Sequence, residues 1–121
     1  MAKIFCFGDS LTYGAWDISS SGWVSRLRMF LDKKQSADPD LYFLTYNLGI
    51  CGETTDSLVN RFLPEMKARI KAGDDNVFIF AYGTNDSAFI SSQNDFSVKA
   101  DDFKKNLEKV NDLLPALKKT I

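Results

Sequence analysis

Apolar runs and helical stripes alternate three times along the chain. Ile4-Phe5-Cys6-Phe7 is an unbroken apolar run that stops at Gly8, the pattern of a strand buried on both faces. After a loop over residues 8–22, Trp23, Val24, Leu27, Phe30 and Leu31 recur at helical spacing. They predict a helix with one buried stripe, capped by Ser20 or Ser21 and closed by Lys33-Lys34 at its negative end. Asp38-Pro39-Asp40 reads as a turn, and residues 41–48, which carry Tyr, Phe and Thr, as a second strand ending at Gly49. Leu58, Val59, Phe62, Leu63, Met66 and Ile70 mark a second helix, capped by Thr54 or Thr55, kinked or split at Pro64 and stopped by Gly73. Residues 77–81 are the most apolar run and predict a third strand. Phe103, Leu107, Val110, Leu114 and Leu117 then predict a final helix that starts near Val98 and is distorted at Pro115.

Strands alternating with helices imply an α/β fold with a parallel sheet, because parallel neighbours need crossover connections. The 121 residues suit a single domain, burying roughly 65% of the unfolded surface. In open parallel sheets ligands bind beyond the carboxyl ends of the strands. Three polar segments follow the three strands here: Gly8-Asp9-Ser10-Leu11-Thr12-Tyr13-Gly14, Asn47-Leu48-Gly49-Ile50-Cys51-Gly52-Glu53-Thr54 and Gly83-Thr84-Asn85-Asp86. Together they offer a hydroxyl on a tight turn (Ser10), a glycine that lets backbone approach a ligand (Gly52), and a neutral carboxamide donor (Asn85). Acyl transfer needs that set: a serine to attack a carbonyl carbon, and hydrogen-bond donors for the oxyanion that forms.

Charge narrows the alternatives. Fifteen Lys and Arg balance sixteen Asp and Glu for a net charge of −1, which leaves no basic field to grip nucleic acid or anionic lipid. Histidine is absent from the sequence, so these residues supply neither a His-ligated metal site nor an imidazole base. Cys6 and Cys51 form no C-x-x-C pair and read as buried, reduced thiols of a reducing compartment. The apolar run at the N-terminus is too short for a signal-peptide core or a membrane span, so the expectation is a cytoplasmic protein.

The three segments resemble the sequence blocks of the SGNH hydrolases, also called GDSL esterases or lipases. Gly8-Asp9-Ser10-Leu11 is similar to the first block, Asn47-x-Gly49-x-x-Gly52-x-Thr54 to the second and Gly83-x-Asn85-Asp86 to the third. The resemblance implies a three-layer, flavodoxin-like parallel sheet, of which residues 1–121 carry the first three strand-helix units. It implies a single α/β domain corresponding to the N-terminal two thirds of a family domain. It also implies ester hydrolysis through an acyl-serine intermediate, without metal or organic cofactor, on a small-molecule ester. Ser10 takes the role of nucleophile and oxyanion donor, Gly52 gives an oxyanion N–H and Asn85 an oxyanion side chain. Asp9, Asn47 and Asp86 stand as supporting residues.

The family's Asp-x-x-His block, which holds the base, is not found in this sequence. Without a base Ser10 is an ordinary alcohol, so the chain alone is expected to be nearly inactive. In the flavodoxin-like order 2-1-3-4-5 the apolar third strand is interior, so its outer edge is expected to pair with a missing segment or another chain. Lys3, Lys99 or the better-placed Asp86 as a replacement base, a silent binding or assembly module, and a phosphate cradle over residues 8–14 are the competing readings, with a structural role weighed above catalysis for Asp86. Tyr13, Trp16 and Trp23 either line a substrate pocket or simply pack.

Overall fold

The structure, a computed structural model, describes residues 1–71 and 73–119. Those residues form two compact units, residues 1–52 with 73–81 and residues 53–71 with 82–119.

The first unit is built on a parallel sheet. Its strands are β1 (Ala2–Gly8), β2 (Phe43–Gly49) and β3 (Asp75–Ala81), in the order β2-β1-β3. All three reach the same level, with Gly8 paired to Gly49 on one side and to Ala81 on the other. Alternate residues of β1 serve opposite faces. On one face Ile4 and Cys6 pack with Val24, and with Trp23, Leu27, Leu31, Phe43 and Ile79 around them, so the stripe of helix α2 (Trp23–Ala37) covers this side. On the other face the Phe5 ring stacks on Tyr46 at 5.1 Å and on Phe78 at 5.5 Å, and Phe7 stacks on Phe80 at 5.6 Å. These pairs follow directly from register, each ring lying opposite its partner.

The strand with neighbours on both sides is therefore β1, while β3 forms an edge of the sheet among the described residues, with Val77 48% exposed. The start of α2 also differs from expectation. Its cap is Gly22, with no side-chain cap bond, and neither Ser20 nor Ser21 caps it. Asp17 does the organising instead, accepting the backbone N–H groups of Ser19, Ser20 and Gly22. A four-residue helix not foreseen from periodicity, α1 (Ser10–Tyr13), follows β1 directly.

The second unit contains α3 (Thr55–Lys67), a two-residue hairpin of β4 (Phe89–Ile90) and β5 (Asp95–Phe96), and α4 (Ala100–Lys119). Helix α3 buries Thr55, Leu58, Phe62 and Met66, one stripe at three- and four-residue spacing, and packs with α4. Thr54 occupies the cap position of α3. The helix is not split at Pro64: it runs through that residue and ends at Lys67, short of Ile70. Pro115 likewise lies inside α4. The hairpin is closed by edge-on packing of Phe89 against Phe96 at 5.8 Å. Among the described residues no helix is long and apolar enough to cross a membrane.

Candidate active site

Ser10 is the first residue of α1, the turn that leaves β1. Asp9 caps it, its carboxylate accepting Leu11 N–H at 2.9 Å, and the Ser10 carbonyl accepts the N–H groups of Gly14 and Ala15. Asp9 is buried and Ser10 is half-buried. The turn fits against the sheet end only because glycine stands there: a Cβ on Gly49 would lie 2.2 Å from the Tyr13 nitrogen, and one on Gly8 2.1 Å from Thr12 Oγ1. Asn47 fixes the same junction. Its Nδ2 donates to the Tyr13 carbonyl at 3.2 Å, and its Oδ1 accepts Gly49 N–H at 3.0 Å.

Gly52 is exposed and left-handed, with φ 78°, and a Cβ there would meet nothing within 4 Å. Backbone conformation rather than space is what selects glycine at this position. Ile50, which starts the same segment, donates its N–H to the Gly8 carbonyl at 3.0 Å.

Ser10, Gly52, Asp9 and Asn47 belong to the first unit; Asn85 and Asp86 belong to the second. Asn85 lies in a turn closed by Ser87 N–H on the Gly83 carbonyl at 2.9 Å. Its Nδ2 donates to the Glu53 carbonyl at 2.9 Å. Asp86 is buried, and its Oδ1 accepts both the N–H and the hydroxyl of Thr55, at 2.9 and 2.5 Å.

Several sequence expectations change at this level. Cys51 is exposed, not buried; only Cys6 is a buried thiol. The lysines weighed as a base are held in ion pairs, Lys3 with Asp74 at 2.6 Å and Lys99 with Asp95 at 3.1 Å. Trp23 packs against the first unit's core, whereas Tyr13 and Trp16 are exposed. A polar cluster of buried Glu53 with half-buried Arg61 and Tyr82 beside Asn85 had no sequence signal, because Glu53 and Arg61 are eight residues apart and Glu53 precedes the helix. Among the described residues no group of three or more His, Cys, Asp or Glu side chains could hold a metal ion.

A parallel α/β sheet whose strands are followed by Gly-Asp-Ser-Leu, Gly-x-x-Gly and Gly-x-Asn-Asp segments is the frame of an SGNH-type hydrolase. A family model for GDSL-like lipase/acylhydrolase matches residues 4–121, and the chain belongs to that family. The fold matches that of AlinE4, an SGNH-hydrolase family esterase, with a TM-score of 0.69 and 19% identity over 94% of this chain and 53% of that one. It also matches a variant of Axe2, an acetyl xylan esterase from Geobacillus stearothermophilus, with a TM-score of 0.69 and 21% identity over 96% of this chain and 56% of that one. The chain thus spans a little over half the length of these solved structures. No curated protein matches it.

Proposed function

We propose that these residues carry the nucleophile and the oxyanion donors of a serine esterase. Ser10 Oγ attacks the carbonyl carbon of a small carboxylic ester and passes its proton to a base. The N–H groups of Ser10 and Gly52 and the Asn85 carboxamide receive the negative charge that develops on the carbonyl oxygen. Collapse of the tetrahedral intermediate breaks the ester C–O bond and releases the alcohol, protonated by the conjugate acid of that base. Water then repeats the sequence on the acyl-serine and frees the acid and Ser10. The sequence has no histidine, so the base comes from outside these 121 residues, and the chain alone is nearly inactive. The open side of β3 takes a further strand of the complete domain.

The observation that carries this reading is the level at which the strands end. Gly8, Gly49 and Ala81 pair across the sheet, so the three strands that the motif segments follow in sequence end at one level. Asp9 and Asn47 act through the turn they brace, and Asp86 through α3.

The test is fluorophosphonate labelling of the full-length product together with turnover of a short-chain aryl ester. Ser10→Ala abolishes labelling and lowers turnover by at least about a thousandfold, and Asn85→Ala lowers kcat by about a hundredfold or more. Unchanged turnover in Ser10→Ala, or a label on any other residue, ends the assignment.

A further inference from the structure

Behind Asn85 lies a set of bonds that the reaction above does not use. The Glu53 carboxylate, its side chain 3% exposed, is gripped by the Arg61 guanidinium through both oxygens, Nε to Oε1 at 2.5 Å and Nη2 to Oε2. Tyr82 donates its phenolic proton to the same Oε2 at 2.6 Å, and Arg61 Nη2 donates to the Tyr82 oxygen at 3.0 Å. Burial, followed by the bond to Glu53, pushes the Tyr82 phenol well above its usual range, so it remains a donor.

A buried ion pair of this kind adds little net stability, because desolvating both charges offsets their attraction. What a two-pronged guanidinium-carboxylate pair does supply is fixed geometry. The residue held this way is the one whose main-chain carbonyl accepts Asn85 Nδ2 at 2.9 Å. A carboxamide by itself rotates in a broad, roughly two-fold well. Bonded to an anchored carbonyl, its plane is set before substrate arrives.

We infer that Glu53, Arg61 and Tyr82 are positioning residues that orient the Asn85 carboxamide through the Glu53 main chain. This rests on the reading of Asn85 as an oxyanion donor. Oxyanion stabilisation depends on donors aimed in advance, so a loosened carboxamide lowers kcat rather than weakening ground-state binding.

The experiment uses full-length protein with Tyr82→Phe, which removes one hydroxyl, and Arg61→Lys, which keeps the charge and loses the fork. Two readouts apply: the Asn85 side-chain NH2 signals in 15N-resolved NMR spectra, and kcat and KM for the aryl ester. Both variants are expected to shift the Asn85 signals and to lower kcat by about 10- to 100-fold with KM changed less than about threefold. Folded variants with unmoved Asn85 signals, or with wild-type kcat in an enzyme that Ser10→Ala inactivates, overturn the inference. If Ser10→Ala leaves turnover intact, the esterase reading fails, and the NMR signals alone decide the clamp.

Discussion

Asp86 supplies α3 with the cap that its own flanking residue does not. Thr54 holds the cap position without a side-chain cap bond, while Asp86, 31 residues beyond Thr55, accepts the Thr55 N–H at 2.9 Å and the Thr55 hydroxyl at 2.5 Å. An anion at a helix N-terminus is favoured by the backbone dipoles as well as by the hydrogen bonds. Asn106 on α4 extends the link by donating to Thr55 Oγ1 at 3.1 Å and to Asp56 Oδ1 at 2.7 Å. The third motif block is thus tied to both helices of its unit.

Asp86→Ala leaves a buried N–H and a hydroxyl without their acceptor, and we expect it to lower stability by about 2–3 kcal/mol in urea denaturation. Thr55→Val, which keeps the N–H bond, should lower it less. A double-mutant cycle should return a coupling of about 1 kcal/mol. Independent effects would show that the carboxylate does not act as a cap.

A second charge pair lies at the start of the first unit's sheet. Lys3 on β1 meets Asp74, the residue before β3, at 2.6 Å, and the side chains are only 3% and 6% exposed. Removing one charge strands the other in low dielectric, so Lys3→Met should destabilise by about 3–5 kcal/mol. Replacing both, as Lys3→Met with Asp74→Leu, should recover most of that loss. A single substitution that lowers stability by less than about 1 kcal/mol would mean that the two charges do not depend on each other.

The parts of this fold legible in sequence were those set by periodicity. The run Ile4-Phe7, the stripe of Trp23, Val24, Leu27 and Leu31, and the stripe of Leu58, Phe62 and Met66 each formed the element their spacing implies, although Phe30, expected in the α2 stripe, is exposed. Features made by long-range bonds were not legible. Nothing local says that Asp17 rather than a serine organises the loop before α2, or that Asp86 caps a helix 31 residues earlier. Exposure of Cys51 was missed for a related reason, since a cysteine beside a left-handed glycine on an open turn follows the backbone outward. Ser10, Asn85 and Gly52 stood out as motif residues. Glu53, Arg61 and Tyr82 did not, because their pairing exists only once α3 brings Arg61 back toward Glu53.

Asp17 should titrate well below an ordinary carboxylate. The Ser19 hydroxyl bond at 2.6 Å and the Arg26 guanidinium at 2.8 Å lower its pKa, helped by the Ser19 and Gly22 N–H groups. A depressed folded value means that the carboxylate stabilises the loop above the unfolded pKa near about 4 and loses that effect as pH falls through the folded value. The amide signals of Ser19, Ser20 and Gly22 should therefore stay flat from neutral pH to about 4 and move only at lower pH. Arg26→Ala should raise the midpoint. A wild-type midpoint near 4 would contradict the network.

Cys6 and Cys51 should behave as opposites. Cys6 has no exposed surface, and burial pushes its thiol from 9.0 up to about 11, whereas Cys51 is open to solvent. In native protein a thiol reagent should modify Cys51 quickly and reach Cys6 only on unfolding. The raised Cys6 value has a definite sign. Folding favours the neutral thiol, so its contribution is complete below 9.0 and is lost as pH rises toward about 11, because the unfolded chain ionises first. Tyr82, also raised, acts in the same direction at still higher pH. Urea denaturation followed across that window should show stability falling in the wild type and falling less steeply in Cys6→Val, which keeps the volume and removes the ionisation. Equal slopes in the two proteins would show that Cys6 ionises as readily in the folded chain as in the unfolded one.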